Sequence, residues 1–518
     1  MPAYIPKFQK FEDVVAYIDA LYKYKPTAFA NNGVENKADQ NPGSQKVLYF
    51  AKLNGLSVEE TLGLFCENYK AVLDDPNGAS HANIRAFMKG GWNGVAFKGN
   101  PLTAKKRGPE TPLNMNIVNM PGNYLFQRVG ENGRKYKEAN PGKPFDSLGI
   151  GDISLTLAKV AADAVRDAAT EMESKVVGYG EVDGYEYLRL PIVEYYKERG
   201  VVLDPTEIFV NEGAKADSAN ILFAFGAKVK IAVGDPVYPV YVNSHAMEGH
   251  LGKFDERTGK WEKVIYLPMT KENNFMPELP KERPDLIYMC YPNNPTGAVI
   301  TREELRKWVN YAILNNCVIL YDGAYEAYIT DPKIPRSIYE IPGAESVAIE
   351  LRSFSKDMGF TGVRCGYTVV PHALRRNGHK LNDVWRRRLS THFNGASHIS
   401  QKAAAAMLTT QAGRIARQES IQYYLGNASI IKQTFVNLGV PTFGADNAPY
   451  VWVYLGGDSW EWHMYILNVF GVLTTPGVGF GPAGQGYIRL TGFGNREKII
   501  ATCERLKTMN ITPPHRTR

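Results

Sequence analysis

The sequence predicts an α/β protein with a mostly parallel sheet, preceded by a small separate domain. Three observations carry that reading. From about residue 121 onward, short apolar runs alternate with helical stretches, the rhythm of strands joined by crossover helices. Just before, NPLTAKKRGPETPLNMNIVNMPG holds Pro101, Pro109, Pro112 and Pro121 without hydrophobic periodicity, which marks a linker. The first hundred residues carry turns and amphipathic stretches of their own, and 518 residues are too many for one ordinary core.

In that first part, Phe11 to Tyr22 places Val14, Ile18 and Leu21 at helical spacing. Residues 46–53 and 61–72 are further helices or strands. Asn31-Asn32-Gly33, Asn41-Pro42-Gly43 and Asp75-Pro76-Asn77-Gly78 are turns. The expected division is a domain over 1–105, a linker over 106–120 and a second domain over 121–518.

Composition bounds the function. With 44% apolar and 22% charged residues the chain is a soluble globular protein. A net charge of +7, from 60 basic and 53 acidic residues, is mild at this length and gives no reason to invoke nucleic acid. The cluster Lys105-Lys106-Arg107 is a solvated piece of linker. Cys66, Cys290, Cys317, Cys365 and Cys503 are far apart and show no Cys-x-x-Cys or Cys/His spacing, so neither a disulfide framework nor a metal site is expected. The start, MPAYIPKFQKFEDVVAYIDAL, lacks the apolar core of a secretory signal, and no run is long enough to span a membrane. The expectation is a cytoplasmic protein with no membrane partner.

In the second part, strands are expected at 208–210, 229–233, 286–290, 317–321 and 347–351, with a helix over 302–315. In open α/β sheets the ligand lies beyond the carboxyl ends of the strands. The first strand runs into Gly213-Ala214-Lys215, a small-residue turn that offers N–H groups to a phosphate. The second runs into Asp235-Pro236-Val237-Tyr238-Pro239, where Tyr238 has the ring to stack on an aromatic cofactor. The third runs into Tyr291-Pro292-Asn293-Asn294-Pro295-Thr296-Gly297, which projects the Asn294 amide and allows a cis peptide before Pro295. The fourth ends in Asp322, with Tyr325 three residues on; a carboxylate there suits a pyridine nitrogen that must stay protonated. The fifth ends in Ser353-Phe354-Ser355-Lys356, with Arg364 beyond: an imine-forming lysine beside hydroxyls and a guanidinium for a phosphate. Five successive strand ends so equipped describe a pocket for pyridoxal 5′-phosphate (PLP).

YPNNPTG, YDGAYEAY, SFSKDMGFTGVRCGY, FNGAS and NAPYVWV resemble the fold-type I PLP-dependent aminotransferases, and most closely the LL-diaminopimelate aminotransferase family, over about 121–510. The resemblance implies a large domain with the mostly parallel sheet, about 163–393, and a smaller α+β domain from 121–162 plus 394–518. It implies that Lys356 links to the cofactor and moves the proton between the substrate Cα and cofactor C4′. Its amine would be depressed in pKa by Arg364 and the conjugated ring. Asp322 would pair with the ring nitrogen, Tyr325 and Asn294 would bond the ring O3′, and Tyr238 would stack. Ala214, Lys215, Ser353, Ser355 and Arg364 would hold the phosphate. Arg489, in GYIRLTGFG, would clamp the substrate α-carboxylate, and Gly151 would lie beside the substrate. The family shares its sites across a homodimer, so Tyr124, Tyr179 and Asn394 would reach in from the partner subunit. The substrates would be an amino acid and a 2-oxo acid.

The chain departs from the family's pattern away from the cofactor. Where the family reads GYGAEQG, this chain has Gly178-Tyr179-Gly180-Glu181-Val182-Asp183-Gly184, so Val182 replaces the glutamate that receives the distal amino group of diaminopimelate. Glu181 and Asp183 flank it. GIGDTTEP becomes GIGDISLTL, and His398 stands where FNGASN has an asparagine. These changes point to a different amino acid as the alternative donor. The first part, in YIDALYKYKPTAFANNG, NPGSQKV and HANIRAFMKGGWNGVAF, resembles the HopJ type III effector family. That allows a further reading, an effector or binding protein whose enzyme domain is secondary. His81, Asn83, Arg85 and Trp92 are the polar and aromatic residues there, with a structural role the stronger expectation.

Overall fold

The computed structural model describes residues 5–122 and 124–511. The chain forms two compact units that meet at Pro112/Leu113, inside the stretch expected as linker. The end of that stretch is ordered with the second unit: Asn114 caps the short helix Met115–Val118, and its Nδ2 donates to Met247 O at 3.1 Å.

Seven strands build the large sheet of the second unit: β1 (Ile208–Asn211), β2 (Ile231–Asp235), β3 (Val264–Pro268), β4 (Leu286–Cys290), β5 (Val318–Asp322), β6 (Ala348–Ser353) and β7 (Gly366–Val369). Their order is β3-β2-β4-β5-β6-β7-β1, all parallel except β7, which runs against both neighbours. The strands read as continuous apolar runs because both faces are covered. Ile287 and Met289 pack on one face with Trp308, Val309 and Ala312 of the helix Arg302–Asn315. Leu286, Tyr288 and Cys290 alternate to the other face, with Trp385 and Leu389 of the helix Leu381–His392. The helix Arg302–Asn315 has the expected bounds. Thr301 Oγ1 accepts from Glu304 N at 3.2 Å, and the helix stops at Asn316 in the left-handed region, φ +52°.

All five expected strands lie within two residues of their places, and the second is shifted as a whole, running from Ile231 to Asp235 rather than 229–233. Its valines end at 233, yet pairing continues through Gly234 and a buried Asp235 that accepts from Ala483 N at 2.9 Å. β3 and β7 were not anticipated.

The smaller sheet contains β8 (Thr442–Gly444), β9 (Tyr450–Tyr454), β10 (Thr475–Pro476) and β11 (Tyr487–Thr491), antiparallel in the order β8-β9-β11-β10. Its core holds Val451, Val453, Ile488 and Leu490 with Ala428, Ile431 and Phe435 of the 27-residue helix Gln411–Asn437. The helix His398–Thr409, assigned from the sequence to the small domain, packs instead in the large one. Its small side chains Ala403 and Ala404, with Met407, join Ile208 and Val210 of β1 and Leu188 and Ile192 of the helix Glu186–Lys197.

The first unit has helices Phe11–Leu21, Pro42–Leu53, Val58–Gly63, Cys66–Asp74 and Ala82–Gly90. The expected element over 61–72 is thus two helices, broken where Cys66 takes φ +48°. Phe29–Asn31 pairs with Val34–Asn36 and with Val95–Phe97, and Asn32-Gly33 closes the hairpin with both φ positive. Val14, Ile18, Val47, Leu48, Phe50 and Phe87 make its core.

Candidate active site

At the carboxyl ends of β1, β2, β4, β5 and β6 the structure opens a cleft of about 350 Å³. It brings together Ala214, Lys215, Tyr238, Asn294, Asp322, Tyr325, Ser353, Ser355, Lys356 and Arg364, and adds Gly151 and Arg489 from the smaller domain. Each of these five strands delivers its groups because the turn that follows it begins at the sheet edge.

Lys356 sits on the turn after β6. Its Nζ donates to the carbonyl of Gly151 and lies 5.1 Å from the centre of the Phe493 ring. Burial pushes its amine down to about 8, with Arg489 and Arg364 adding to the effect and Asp152 opposing it. The expected neighbour Arg364 therefore contributes, but desolvation leads. A Cβ on Gly151 would come into ordinary contact with Tyr450 Oη, at 3.4 Å.

Asp322, 7% exposed, closes the cleft at the end of β5. It accepts from Tyr241 Oη at 2.5 Å and from Ala324 N at 3.0 Å. Burial raises its carboxyl, and those two donors with the nearby Arg352 hold it back. Tyr325 Oη is bonded to Tyr450 Oη. The Asn294–Pro295 peptide is cis, and Asn294 Oδ1 accepts from Arg489 Nη1 at 2.6 Å.

At the other end of the cleft, Arg364 Nη1 donates to Ser355 Oγ at 3.2 Å. Gly213, φ +107°, leads into Ala214, and a Cβ on it would meet Arg364 Nη2 at 2.6 Å. Lys215 lies 4.8 Å from the Tyr124 ring centre, its amine lowered by burial and then by Arg364.

Arg489, in β11, is 1% exposed and has no carboxylate partner among the described residues. Its Nη2 donates to Gly149 O at 2.5 Å, its Nε is unpartnered, and Tyr450 and Phe480 pack on it at 4.7 and 4.8 Å. Burial lowers its pKa.

Tyr124, expected from a partner subunit, packs within its own chain against Lys215 and is hydrogen-bonded to Tyr238. Glu181 and Asp183 are already engaged: Arg189 holds Glu181 at 2.6 Å and Asp183 at 3.2 Å, and Arg386 holds Asp183 at 2.8 Å. Neither is free to replace the missing glutamate within this chain. Tyr179, 89% exposed, and Asn394, also exposed, are not brought to this chain's cleft. His398 faces Glu171 and Tyr187 at 3.3 Å each.

Sequence reasoning missed Tyr241, Tyr450 and Phe126. Tyr241 stands in the first turn of the helix Val240–Met247, three residues after Tyr238, whose ring it meets at 5.7 Å. In the first unit the four candidates form no shared site. Asn83 bonds Asn31 and Asn36, Arg85 clasps the carbonyls of Asp75, Pro76 and Ser80, Trp92 donates to Leu56 O, and His81 is exposed.

The donor set fits PLP. Two cations and two hydroxyls beside a glycine-only approach suit a phosphate, and a buried carboxylate with two donors on it suits a protonated ring nitrogen. This sheet and cleft define a fold-type I aminotransferase, and the aminotransferase class I and II family matches residues 146–506. Within that class the chain belongs to the LL-diaminopimelate aminotransferase family. It is 48% identical to the LL-diaminopimelate aminotransferase of Agathobacter rectalis over 77% of this chain and 99% of that protein. It is 48% identical to that of Lawsonia intracellularis over 76% and 98%. The solved L,L-diaminopimelate aminotransferase of Chlamydomonas reinhardtii superposes with a TM-score of 0.74 at 41% identity, over 77% of this chain and 98% of that one. The HopJ type III effector protein family matches residues 4–102. Among the described residues no helix is long and apolar enough to cross a membrane.

Proposed function

We propose that this transaminase moves an amino group from LL-diaminopimelate to 2-oxoglutarate, giving tetrahydrodipicolinate and glutamate, a step of lysine biosynthesis. The observation that carries the substrate class is Arg489: a guanidinium 1% exposed, without a carboxylate partner among the described residues, lining the cleft that holds Lys356. Two parallel N–H donors there suit the α-carboxylate of an amino acid.

PLP supplies an electron sink for the substrate Cα when bound. Ser353, Ser355, Lys215, Arg364 and the Ala214 N–H would hold its phosphate, Asp322 would keep the ring nitrogen protonated, Tyr238 would cover the ring, and Asn294 and Tyr325 would reach O3′. Tyr241 orients Asp322. Lys356 takes the proton from Cα and returns it one position away. An amine titrating at about 8 is neutral often enough for that task near neutral pH. Phe126, Tyr450 and Phe493 exclude water around it.

A homodimer fits the exposed Tyr179 and Asn394, which would complete the partner's site, and five free cysteines suit a cytoplasmic location. The proposed domain division is an accessory unit over 1–105, and an aminotransferase over 121–518. A different amino acid is the second reading, favoured by the engagement of Glu181 and Asp183 with arginines beside Val182. The test is the absorbance of PLP-reconstituted protein. A lysine-linked cofactor band that disappears in Lys356→Ala is expected; a band that persists in that variant overturns the assignment.

A further inference from the structure

Directly beneath the cofactor cleft lies a buried set of charges that the chemistry above does not use. Asp357, the residue after Lys356, has a side chain 3% exposed. Its Oδ2 accepts from Arg417 Nε at 2.6 Å. Arg417 Nη2 reaches Tyr195 Oη at 3.2 Å and Glu326 Oε1 at 3.4 Å. Glu326 in turn pairs with Arg352 Nη1 at 3.2 Å, and Arg352 Nη2 with Glu350 at 2.9 Å. Arg352 also supports the other end of the cleft: a Cβ on Gly323, next to Asp322, would meet its Nε at 3.1 Å.

The placement of Arg417 is what gives this network a use. It stands in the first third of the helix Gln411–Asn437, where Ala416 packs on the large-domain core. The same helix places Ala428, Ile431 and Phe435 in the core of the small domain, the domain that carries Arg489 in β11. One rigid rod therefore joins the turn that bears the lysine to the domain that bears the carboxylate clamp. The rest of the turn is held locally, by apolar contacts of Phe354, Met358 and Phe360 and by hydrogen bonds such as Phe354 N to Cys365 O at 3.1 Å and Met358 N to Phe354 O at 3.3 Å. The Asp357–Arg417 contact, a charge-assisted hydrogen bond in a buried setting, adds a directional tie from the turn to the interdomain helix.

We infer that Asp357 and Arg417 are positioning residues for Lys356: their ion pair bolts the lysine-bearing turn to the interdomain helix and so sets the lysine amine against the Arg489 clamp. Neither side chain touches the cleft's reacting atoms. The inference rests on Lys356 being the reactive lysine, and its test separates the two claims.

The full-length chain, freed of PLP, is treated with an amine-arylating reagent across pH 7 to 10, and modification of the Lys356 peptide is read by mass spectrometry. The wild-type midpoint is expected near 8. Asp357→Asn and Arg417→Met let the turn loosen and water reach the amine, so the midpoint rises by about one pH unit, tenfold in the neutral fraction. Asp152, Arg364, Arg489 and Tyr325 face that amine and are unchanged in every variant. With PLP restored, kcat falls about ten- to a hundredfold while KM moves less than about threefold. Arg417→Lys, which keeps the charge, recovers part of both. A midpoint and kcat equal to wild type, with only thermal stability lowered, overturn the inference. Should Arg417→Met fail to fold, Asp357→Asn preserves volume and an acceptor and decides alone. A wild type that neither binds PLP nor transaminates overturns the proposed function, and the arylation midpoints still report on the turn.

Discussion

Arg489→Met separates the clamp's role from the fold's. The arginine is fully enclosed, and among the described residues no carboxylate offsets the loss of its hydration. Exchanging an uncompensated buried charge for an apolar side chain of similar volume is worth about 1–4 kcal/mol of stability. Its two main-chain and side-chain acceptors suffer little. Gly149 O keeps a donor, Thr475 Oγ1 at 2.7 Å, and Asn294 Oδ1 opens to a wet cleft at a cost of about 1 kcal/mol. The free protein should therefore gain roughly 0 to 3 kcal/mol. At about 2.1 cal/mol/K per residue over roughly 400 residues, that is a rise in Tm of about 0–4 °C. Transamination moves the other way. Losing a desolvated arginine–carboxylate contact costs about 2–5 kcal/mol, or roughly 30- to 5,000-fold in kcat/KM. Differential scanning calorimetry and steady-state kinetics on one preparation read both. A variant that loses more than about 2 kcal/mol of stability, or keeps wild-type kcat/KM, refutes the view of Arg489 as a clamp whose buried charge awaits a substrate.

Other consequences follow from the same geometry. Because burial lowers the Lys356 amine to about 8, the unfolded chain binds more protons between about pH 8 and 10.5, so stability of the PLP-free protein rises with pH across that window. The total is on the order of 3 kcal/mol, and urea unfolding of Lys356→Met should lack that rise. Gly213→Ala drives a methyl to 2.6 Å from Arg364 Nη2 at φ +107°, and PLP affinity should fall at least about tenfold by equilibrium dialysis. Tyr241→Phe removes the 2.5 Å donor on Asp322 and should weaken PLP binding by roughly 10- to 100-fold, with Tyr238→Phe as the milder control. The fragment 113–518 should retain kcat, since every cleft residue lies in the second unit.

Much of this was legible in sequence because an α/β fold delivers its site at strand ends, where each group is local. Asp322 and Tyr325 follow β5 within one short stretch, and Ser353, Ser355 and Lys356 follow β6. Arg489 was legible only through resemblance, since nothing local says that a strand arginine lacks a partner. Tyr450 and Phe126 are close to Tyr325 and Arg489 only through folding, as are Arg417 and Asp357, sixty residues apart. The contact of Tyr124 with Lys215 depends on where the chain turns after Pro121, which no periodicity encodes. His398–Thr409 packs in the large domain although the resemblance set the boundary at 394, because nothing in the composition of an alanine-rich helix says which face it covers.

The most direct test titrates LL-diaminopimelate into the PLP-reconstituted full-length protein and follows its absorbance. The account predicts conversion of the cofactor to its amine form, and return to the aldehyde form on adding 2-oxoglutarate. A cofactor band that ignores LL-diaminopimelate while another amino acid converts it would contradict the proposed donor and make Val182 the mark of a different substrate.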